Sequence, residues 1–481
     1  MPYQGNNSAT ASAESTEVSS PPPRHGLVAV AGFSCLVVAL QQTLVVPAVP
    51  GFPKILGHSP EAVAWLVTAT LLTGAIATPI VARLSDMFGR RRMLVLSMLF
   101  VLVGSLLAPV AGLGTLVAGR ALQGVGTALV PVAMAQMRDS LPARRVGPSL
   151  AVLSATLGIG GGIGIPLGGV ILTTLSWQWL FWLSAVLSLV SIALIVRVVP
   201  RHEPAPAGRF DVGGAALLSI ALVAFLLGLS QGGAWGWTSP LTLAALAVAV
   251  LAGLAWGRYE LRHSSPLVDL RASARRPILF TNLASLALGT LMFANLLLTT
   301  SQLQGPTSEN GFGWSARDAG LAMLPNAVAM FAVAPFTARL AERLGARAVL
   351  TVGASVTGLG YLLRIIVTPS AGMAVVWTTV VGIGVGIGYA ALPMLITAHA
   401  PAREIGAANG LNALLRAIGT AIASAGVAGI STVMATEAHG AQVPTSTALL
   451  TVSACGVGFS LLTLVFSSLV SRRYRRVEVA R

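Results

Sequence analysis

Two related stretches govern the interpretation of this sequence: ARLSDMFGRRRML at residues 82–94 and ARLAERLGARAVL at residues 338–350. Each places an acid and arginines between two long apolar runs, although only 9% of the residues in the chain are charged. The similarity extends further back, because residues 59–84 align without gaps on residues 315–340 and share the first serine, a proline and the closing ARL. The chain therefore contains an internal repeat whose two copies carry equivalent charged turns.

The apolar runs beside these turns have the length of membrane-crossing helices. A helix of roughly 20 residues crosses a hydrocarbon layer about 30 Å thick, and 55% of the 481 residues are hydrophobic. The sequence therefore predicts an all-α polytopic membrane protein. Its fourteen apolar windows, which we number as spans 1 to 14, cover residues 27–48, 62–82, 93–111, 115–137, 149–172, 178–199, 213–231, 240–257, 279–301, 319–338, 348–367, 372–397, 408–432 and 448–470.

The basic residues indicate how these spans are oriented. Of the 30 basic residues, 25 lie in the tails and loops on the face that holds both termini. Cytoplasmic loops are enriched in arginine and lysine, so both termini are predicted to be cytoplasmic in a multi-pass protein of the cell membrane. The same dispersed arrangement argues against nucleic-acid binding. Cys35 and Cys455 occur singly within apolar runs, so no metal site, disulfide framework or cofactor is expected.

The repeat also predicts the domain organisation. Span 2 corresponds to span 10, which leaves six spans in each copy and makes spans 7 and 8 an inserted pair. Parallel repeats that meet around a cavity at the middle of the membrane are typical of secondary transporters. The predicted segments are a disordered tail (1–26), an N-terminal six-helix bundle (27–200), the inserted pair with its linker (201–278), a C-terminal six-helix bundle (279–470) and a basic tail (471–481).

Several motifs then occur in the order known from one transporter family. The loop ARLSDMFGRRRML, the span 4 motif RALQGVGTA (residues 120–128) and the span 5 motif LGIGGGIGIPLGGV (residues 157–170) accompany the fourteen windows. In this combination the chain resembles the fourteen-span drug:proton antiporter branch of the major facilitator superfamily, from residue 27 to residue 470. The resemblance implies the major facilitator fold and proton-driven efflux of small molecules by alternating access.

The resemblance further implies a conformational latch in the charged turns. In the family this loop fastens the cytoplasmic side when the cavity opens outward. The matching residues are Asp86, Gly89, Arg90 and Arg91, with a weaker copy at Glu342, Arg343 and Arg347. The alternative is a loop that only sets membrane orientation, and Asp86 argues against it because orientation requires no acid.

Polar residues within the spans indicate a substrate cavity or proton relay. The candidates are Arg120, Gln123 and Thr127 in span 4, Asn409, Asn412 and Arg416 in span 13, and Gln41, Gln42 and Thr43 in span 1. The sets in spans 4 and 13 have spacings of three and seven residues, which place them on one helix face. In span 1, Gln41 occupies the position at which the family often carries an acid. An arginine within a span is a functional candidate by default, and the alternative is an arginine that only fixes helix contacts.

The charge balance of this cavity favours neutral or anionic substrates. Arg120 and Arg416 would both face it, whereas no Asp, Glu or His lies deep within a span. The nearest acids, at the starts of spans, are Glu61, Asp211 and Asp318. Proton coupling is therefore implied by the resemblance rather than by titratable residues. Arg364, near the end of span 11, is expected to extend to the membrane surface.

Small residues in span 5 indicate a close helix contact. Gly160, Gly164 and Gly168 recur every four residues, which forms a groove for another helix. The resemblance implies that these glycines, together with Pro166 and Gly169, lie at a hinge between the two halves. The chain departs from the family motif because Ile165 occupies the usual proline position and Pro166 follows it. Generic packing of small residues is the alternative.

These observations lead to one functional hypothesis and several alternatives. The hypothesis is efflux of an amphipathic antibiotic or other toxic compound by a monomer that contacts lipid and uses protons as the coupling ion. The arginine-rich and alanine-rich composition suits an actinomycete, and the resemblance implies self-resistance, with a lincosamide as one candidate substrate. A lincosamide is weakly basic, which conflicts with the charge argument. An importer, a lipid translocator and an uncoupled facilitator are the alternatives, while an enzyme would require a catalytic constellation that the sequence does not provide.

Overall fold

The computed structural model describes residues 26–49, 52–110, 112–201, 210–263, 266–268, 270–305, 307, 311–367, 370–400, 405–438 and 441–470. Most of the predicted tails, residues 1–25 and 471–481, lie outside this part. The helices that form spans 1 to 7 are Leu27–Leu44, Pro60–Phe88, Arg90–Leu107, Gly112–Val125 with Leu129–Ser140, Ala143–Thr174, Trp179–Val198 and Val212–Trp235. Those that form spans 8 to 14 are Pro240–Glu260, Arg276–Gln304, Ala316–Leu321 with Leu324–Ala332 and Ala334–Leu344, Ala346–Ile366, Ala371–His399, Ile405–Val433 and Ser446–Leu469.

Most of the predicted spans have the properties of membrane-crossing helices. Within the described residues, thirteen segments are long and apolar enough to cross a membrane. Span 3 is the predicted span outside this set, because its 18-residue helix Arg90–Leu107 begins with three arginines. The protein is therefore a multi-pass membrane protein, and the number of fourteen crossings remains a prediction.

Two predicted spans are interrupted. Span 4 contains a 3-10 turn at Gly126–Ala128, and span 10 consists of three short helices. The second and third helices of span 10 each have a proline in their first turn, Pro325 and Pro335. Proline lacks a backbone N–H and cannot continue the preceding hydrogen-bond ladder, which explains why span 10 is not one continuous helix.

The described helices agree with the prediction of an all-α chain, and one connection adds a short hairpin. Between spans 13 and 14, strand Ala435–Ala438 pairs antiparallel with strand Ala441–Pro444, so that Ala435 lies opposite Pro444. The pairing satisfies backbone groups that a loop of this length would otherwise present to water.

The helices form two bundles with separate hydrophobic cores. Spans 1 to 6 contribute to one core, and spans 9 to 14 to the other. The inserted pair joins neither core directly. Instead, Leu218, Leu222 and Leu226 of span 7 pack with Ala75 of span 2 and Leu414 of span 13. Span 7 therefore touches both bundles at once.

The two ends of the bundles differ, and we name them by the chain ends. Gly26, at the start of span 1, lies beside Val198 at the end of span 6. Arg347, in the second charged turn, donates a hydrogen bond to the carbonyl of Ser467 near the end of span 14. We therefore refer to the face with the two charged turns as the terminal face, and to the opposite face as the far face.

Candidate functional site

A central cavity of about 200 Å³ lies between the two bundles. Four helices of the first bundle (spans 1, 2, 4 and 5) and four of the second (spans 9, 10, 12 and 13) form its wall. The polar residues in this wall are Gln42, Thr43, Thr70, Thr78, Arg120, Thr127, Asn295, Asn326, Tyr389, Arg416 and Thr420. No Asp, Glu or His is among the described residues that line the cavity.

Arg120 is fixed by the first bundle. Its side chain is only 2% exposed. Its Nε donates to the carbonyl of Leu66 at 3.2 Å, and its Nη1 donates to the carbonyl of Gln41 at 3.0 Å and to Oε1 of Gln123 at 2.9 Å. These acceptors are neutral and come from spans 2, 1 and 4 respectively. The guanidinium therefore ties three helices of one bundle together at the edge of the cavity.

Arg416 is in a different situation. Its guanidinium carbon lies 5.1 Å from the centre of the Tyr389 ring, in a cation-π contact. Within the described part of the chain, no hydrogen bond from its guanidinium to another residue is found, although it lines the cavity. An arginine carries five N–H donors. Arg416 is therefore a cation in the cavity wall whose donors remain for a ligand or water.

The cavity wall also offers acceptors. Asn295 and Asn326 are buried, and the side-chain oxygen of each has no hydrogen-bond donor among the described residues. Asn295 donates through Nδ2 to the carbonyl of Thr378 at 3.4 Å. Buried polar atoms are normally paired, so these oxygens and Arg416 form a polar set that a bound molecule can complete.

The predicted cavity residues divide into two layers. Gln42, Thr43 and Thr127 line the cavity, as do the two arginines. Gln41 and Gln123 are buried behind Arg120, where Gln41 Nε2 donates to the carbonyl of Gln123 at 3.2 Å. The expectation that all three span 4 residues face the cavity is therefore corrected, because Gln123 turns toward Ser105 of span 3 and donates to its hydroxyl at 2.8 Å.

The polar stripe of span 13 divides in the same way. Asn412 is buried against span 9, where its Nδ2 donates to Oδ1 of Asn282 at 3.0 Å and its Oδ1 accepts from the hydroxyl of Ser285 at 3.1 Å. Asn409 is also buried and does not line the cavity. Of the three predicted residues, Arg416 alone reaches the cavity, because its long side chain extends past the contact with span 9.

The predicted glycine groove of span 5 is filled by span 1. A Cβ added at Gly160 would lie 2.5 Å from the carbonyl oxygen of Leu36, and one at Gly164 would lie 2.8 Å from that of Leu40. Gly168 meets Leu44 in the same manner. These three glycines therefore pack within the first bundle. Gly169 is buried, and its carbonyl accepts from the hydroxyl of Thr173 at 3.2 Å.

Two other glycines of span 5, Gly158 and Gly162, meet the second bundle, although no sequence signal distinguishes them from their neighbours. A Cβ at Gly162 would lie 2.9 Å from Cα of Ala327, and one at Gly158 would lie 2.6 Å from Cε of Met330. Pro166 is close to Gly320 of span 10, because a Cβ added at Gly320 would lie 3.3 Å from Cα of Pro166. The contact between the halves that was expected at Gly160, Gly164 and Gly168 therefore lies one helix face away.

Arg90 organises the charged turn of the first bundle. Its Nη2 lies 3.6 Å from Oδ1 of Asp86, its Nη1 forms an ion pair with Asp139, and Nη1 also donates to the carbonyl of Ala135 at 2.6 Å. Arg91 donates to the carbonyl of Val196. Asp139, at the end of span 4, was not predicted, because nothing in its local sequence distinguishes it from an ordinary helix-end acid.

The two charged turns share backbone geometry but differ in their contacts. Gly89 has a φ of 93° and Gly345 a φ of 84°, values that favour glycine in both turns. Arg347 donates to the carbonyls of Ser467 at 3.0 Å and Ser468 at 2.8 Å. Glu342 and Arg343 are exposed.

These contacts stay within the bundles. Asp139, Ala135 and Val196 belong to the first bundle together with the turn that contacts them, and Ser467 and Ser468 belong to the second. Among the described residues, no ion pair joins one charged turn to the opposite bundle. The contacts of the described residues therefore brace the helix ends of each turn's own bundle, and the latch between the bundles stays a prediction.

Arg364 is buried, so the prediction that it extends to the membrane surface is wrong. Its Nη1 donates to Oγ1 of Thr299 at 2.7 Å, and its Nη2 donates to Oε1 of Gln302 at 2.7 Å. Both partners belong to span 9, whose position beside span 11 could not be read from the sequence of span 11 alone.

The acids named as nearest to the spans lie at helix ends. Ser315 and Asp318 cap span 10 reciprocally: the amide of Asp318 donates to the Ser315 hydroxyl at 3.1 Å, and this hydroxyl donates to Oδ2 of Asp318 at 2.7 Å. Asp211 is buried and accepts from the amide of Gly214 at 2.8 Å at the start of span 7. The carboxylate of Glu260, at the end of span 8, lies nearby, since both carboxylates face the position of a Cβ at Gly214. The side chain of Glu61 lies outside the described part.

A second cavity of about 520 Å³ adjoins the central one on its far-face side. The two share the side chains of Val46, Val67, Leu71 and Phe293. The outer ends of spans 1 and 9 line it together with spans 2, 7 and 13. The space between the bundles therefore continues from Arg416 toward the far face.

Comparisons with known proteins agree with this architecture. The sequence profile of the Major Facilitator Superfamily matches residues 31–424. The multidrug transporter protein MdtP of Bacillus subtilis is 26% identical over 79% of this chain and 70% of its own length. The tetracenomycin C resistance and export protein of Streptomyces glaucescens is 28% identical over 81% of this chain and 72% of its own. The crystal structure of the human organic anion transporter MFSD10 superimposes with a TM-score of 0.66 at 17% identity, covering 94% of this chain and all of the other.

Proposed function

The chain belongs to the Major Facilitator Superfamily and is a membrane transporter, and we propose that it exports an amphipathic antibiotic or other toxic compound from the cell. In this proposal a monomer in the cell membrane, with both termini cytoplasmic, works by alternating access driven by the proton-motive force. Relatives that are similar over about four fifths of the chain include a multidrug transporter, an antibiotic resistance and export protein and a multidrug resistance protein, which supports efflux over import or lipid translocation.

The observation that carries this proposal is the cavity between the bundles and the state of Arg416 in its wall. A transporter must hold its substrate where two rigid bodies meet, and four helices of each bundle meet there. Arg120 is occupied by its own bundle, whereas the donors of Arg416 point to no described protein acceptor. The guanidinium of Arg416, in the second bundle, can therefore donate to a substrate, whereas the guanidinium of Arg120, in the first bundle, is already engaged.

Unequal ends of the bundle interface support alternating access. Toward the far face the outer ends of spans 1 and 9 are separated by the larger cavity. Toward the terminal face a Cβ at Gly410 of span 13 would lie 3.4 Å from Cβ of Ala82 of span 2, an ordinary packing distance. In this proposal the larger cavity is the route to the far face, where spans 5 and 10 remain in contact through Pro166 and Gly320, and rocking of the bundles would open the terminal face instead.

The proposed substrate is neutral or anionic and has an apolar body. A second cation beside Arg416 would be repelled, since unlike water the cavity screens charge weakly. The shared wall of the two cavities is apolar, with Val46, Val67, Leu71 and Phe293. A weakly basic lincosamide fits this charge less well than an acidic or neutral antibiotic does.

Proton coupling requires groups away from the cavity wall. The acids whose side chains the structure describes are at the terminal face (Asp86, Asp139 and Glu342), at the base of the inserted pair (Asp211 and Glu260) and in the cap of span 10 (Asp318). A proton that drives transport would act on the position of the bundles through such groups rather than by displacing substrate directly.

The experiment that tests the proposal begins with an efflux-deficient bacterial host that expresses the chain. We expect higher resistance to some members of a panel of antibiotics. We also expect everted vesicles with an acidic interior to accumulate the same compounds, because protons that leave the vesicle would drive the compound in. A protonophore should abolish this accumulation. Uptake in whole cells without accumulation in everted vesicles would identify an importer, and accumulation that survives the protonophore would exclude proton coupling.

Fluorescein and rhodamine 123 make a matched test of substrate charge, because they share a three-ring body and carry opposite charges. We expect everted vesicles to accumulate fluorescein in preference to rhodamine 123. The opposite preference would contradict the role proposed for Arg416.

A further inference from the structure

The inserted helix pair forms part of the wall of the larger cavity. Leu226, Leu229, Ser230 and Gly233 of span 7, and Trp237 in the turn that follows it, line this space together with both bundles. A pair of helices that served only to lengthen the chain would have no reason to reach the space between the bundles. Its position there requires a separate account.

The two seams between the bundles are closed in different ways. At one seam, spans 5 and 10 meet directly through Gly158 and Gly162. At the other, spans 2 and 13 meet near the terminal face and then separate toward the far face, where span 7 stands behind the gap. The hydroxyls of Thr68 in span 2 and Ser230 in span 7 are 2.8 Å apart. Span 7 therefore closes an opening that would otherwise lead sideways to lipid.

Trp237 completes this closure. Its ring packs over Gly232 of span 7, where an added Cβ would lie 2.7 Å from Cζ3 of the indole. The ring also lies beside Gly429 of span 13, where an added Cβ would lie 3.5 Å from Cζ2 of the indole. Despite these contacts the side chain is 38% exposed. Both glycines leave room for the indole, and its remaining surface faces the cavity.

The chemistry of this space complements that of the central cavity. Its described lining contains no charged side chain, and its polar groups are the hydroxyls of Thr68, Ser230, Thr300, Ser301 and Ser424, the amide of Gln304 and the indole of Trp237. Arg416 lies in the adjoining cavity. A molecule that spans both spaces would meet a cation at one end and an uncharged, partly aromatic wall at the other.

We propose that span 7 and Trp237 form a third wall of the substrate pathway, and that this wall binds an uncharged ring system of the substrate while Arg416 receives its acidic or carbonyl group. The substrate class is therefore a ring compound with one acceptor-bearing end. The assignment of a substrate rests on the export function proposed above, whereas the placement of span 7 in a water-filled pathway does not. An aromatic contact of this kind changes affinity about 2- to 10-fold.

The first test asks whether span 7 faces water, and it needs no transported compound. In the full chain with Cys35→Ala and Cys455→Ser, cysteines are introduced as Ser230→Cys and, as a control on the exposed outer face of the same helix, Ile220→Cys. We expect a membrane-impermeant, negatively charged maleimide to label the first variant from the far face and not the second. Labelling of Ser230→Cys only by a lipid-soluble maleimide, or by neither reagent, would overturn the proposal.

The second test asks whether the wall contacts substrate. Trp237→Ala is compared with Trp182→Ala, because Trp182 of span 6 is equally exposed at 39% but lies outside both cavities. For a ring compound exported by the unmodified chain, we expect KM to rise about 2- to 10-fold in Trp237→Ala only. Trp237→Phe keeps an aromatic ring, so its KM should stay near that of the unmodified chain. This variant keeps the proposal testable if Trp237→Ala does not fold.

The two proposals fail in different ways. If the unmodified chain exports no compound in the antibiotic panel, the export function is lost, and the labelling result alone decides the position of span 7. If export occurs but Trp237→Ala and Trp182→Ala have the same KM, the substrate wall is lost while the export function stands.

Discussion

Replacing Arg416 by glutamine should impair recognition of an anionic substrate without unfolding the protein. In the structure the guanidinium makes a cation-π contact with Tyr389 and no hydrogen bond to another described residue. Its removal therefore costs the fold at most this contact, about 0.5 to 2 kcal/mol. Arg120→Gln is the matched comparison, because both arginines belong to polar stripes with spacings of three and seven residues but only Arg120 is engaged by protein acceptors.

The expected magnitudes follow from the hydrogen bonds involved. A hydrogen bond from a charged donor contributes about 1.5 to 3 kcal/mol, and about 1.4 kcal/mol corresponds to a tenfold change in affinity. Loss of one such bond from Arg416 to substrate should raise KM roughly 10- to 150-fold. Arg120→Gln removes donors from Leu66, Gln41 and Gln123 at once, which should lower the free energy of unfolding by about 3 kcal/mol or more.

The assay is transport of fluorescein into proteoliposomes, together with thermal unfolding of the same purified variants. We expect Arg416→Gln to raise KM with at most a small fall in melting temperature, and Arg120→Gln to lower the melting temperature much more. A variant at Arg416 that melts early while its KM is unchanged, or one at Arg120 that is fully stable, would refute the division of roles.

Three further predictions concern the turns, the glycines and the inserted pair. Arg90→Ala should lower resistance in cells and the melting temperature of the protein, because it removes charge-assisted contacts worth about 1.5 to 3 kcal/mol each. Gly162→Ala should slow transport at a nearly normal melting temperature, since the added Cβ meets Ala327 of the other bundle. Asp211→Ala should destabilise the protein by about 1 kcal/mol in thermal unfolding, through loss of the cap of span 7.

Two of these predictions, those for Arg90 and Gly162, have a control within the chain. Arg92→Ala alters an exposed arginine of the same turn and should behave like the unmodified protein. Gly160→Ala places a Cβ against span 1 of its own bundle, so it should lower the melting temperature by more than Gly162→Ala does. Equal effects of the two variants in either pair would contradict the role given to Arg90 or to Gly162. An Asp211→Ala variant as stable as the unmodified chain would contradict the role of Asp211 as a helix cap.

The features that the sequence predicts well are those set by local chemistry. Apolar windows of sufficient length predict the spans, since hydropathy depends on neighbouring residues alone. The repeat predicts equivalent turns, and the structure places Gly89 and Gly345 at similar positive φ values. The close contact at the span 5 glycines is also predicted, because residues without a side chain allow backbones to approach wherever the partner lies.

The features that the sequence does not reveal depend on partners from distant segments. Arg120 and Arg416 belong to polar stripes of the same spacing. Arg120 donates to the carbonyls of Leu66 and Gln41, whereas Arg416 contacts the ring of Tyr389. Arg364 follows the same rule, because its acceptors belong to span 9. A helical stripe indicates which residues share a face but not which neighbour that face meets, and spans 4 and 13 therefore turn half of their polar residues away from the cavity.

The interruptions of spans 4 and 10 lie between these cases. Pro325 and Pro335 are visible in the sequence, but proline at a helix start and proline within a kinked helix have the same local signature. Membrane helices tolerate both, because neighbouring helices can satisfy the freed backbone groups. Tertiary packing therefore decides that span 10 consists of three helices.

Rocking of the two bundles can be followed with a pair of spin-label distances, one across each end of the bundle interface. Labels at Ile55 and Gln304 report on the far face, and labels at the repeat-related positions Phe88 and Leu344 report on the terminal face; these side chains are exposed. We expect substrate and a proton gradient to shorten the distance at the far face and to lengthen the distance at the terminal face. Distances that stay fixed, or that change in the same direction, during demonstrated transport would contradict two bundles that rock around a shared cavity.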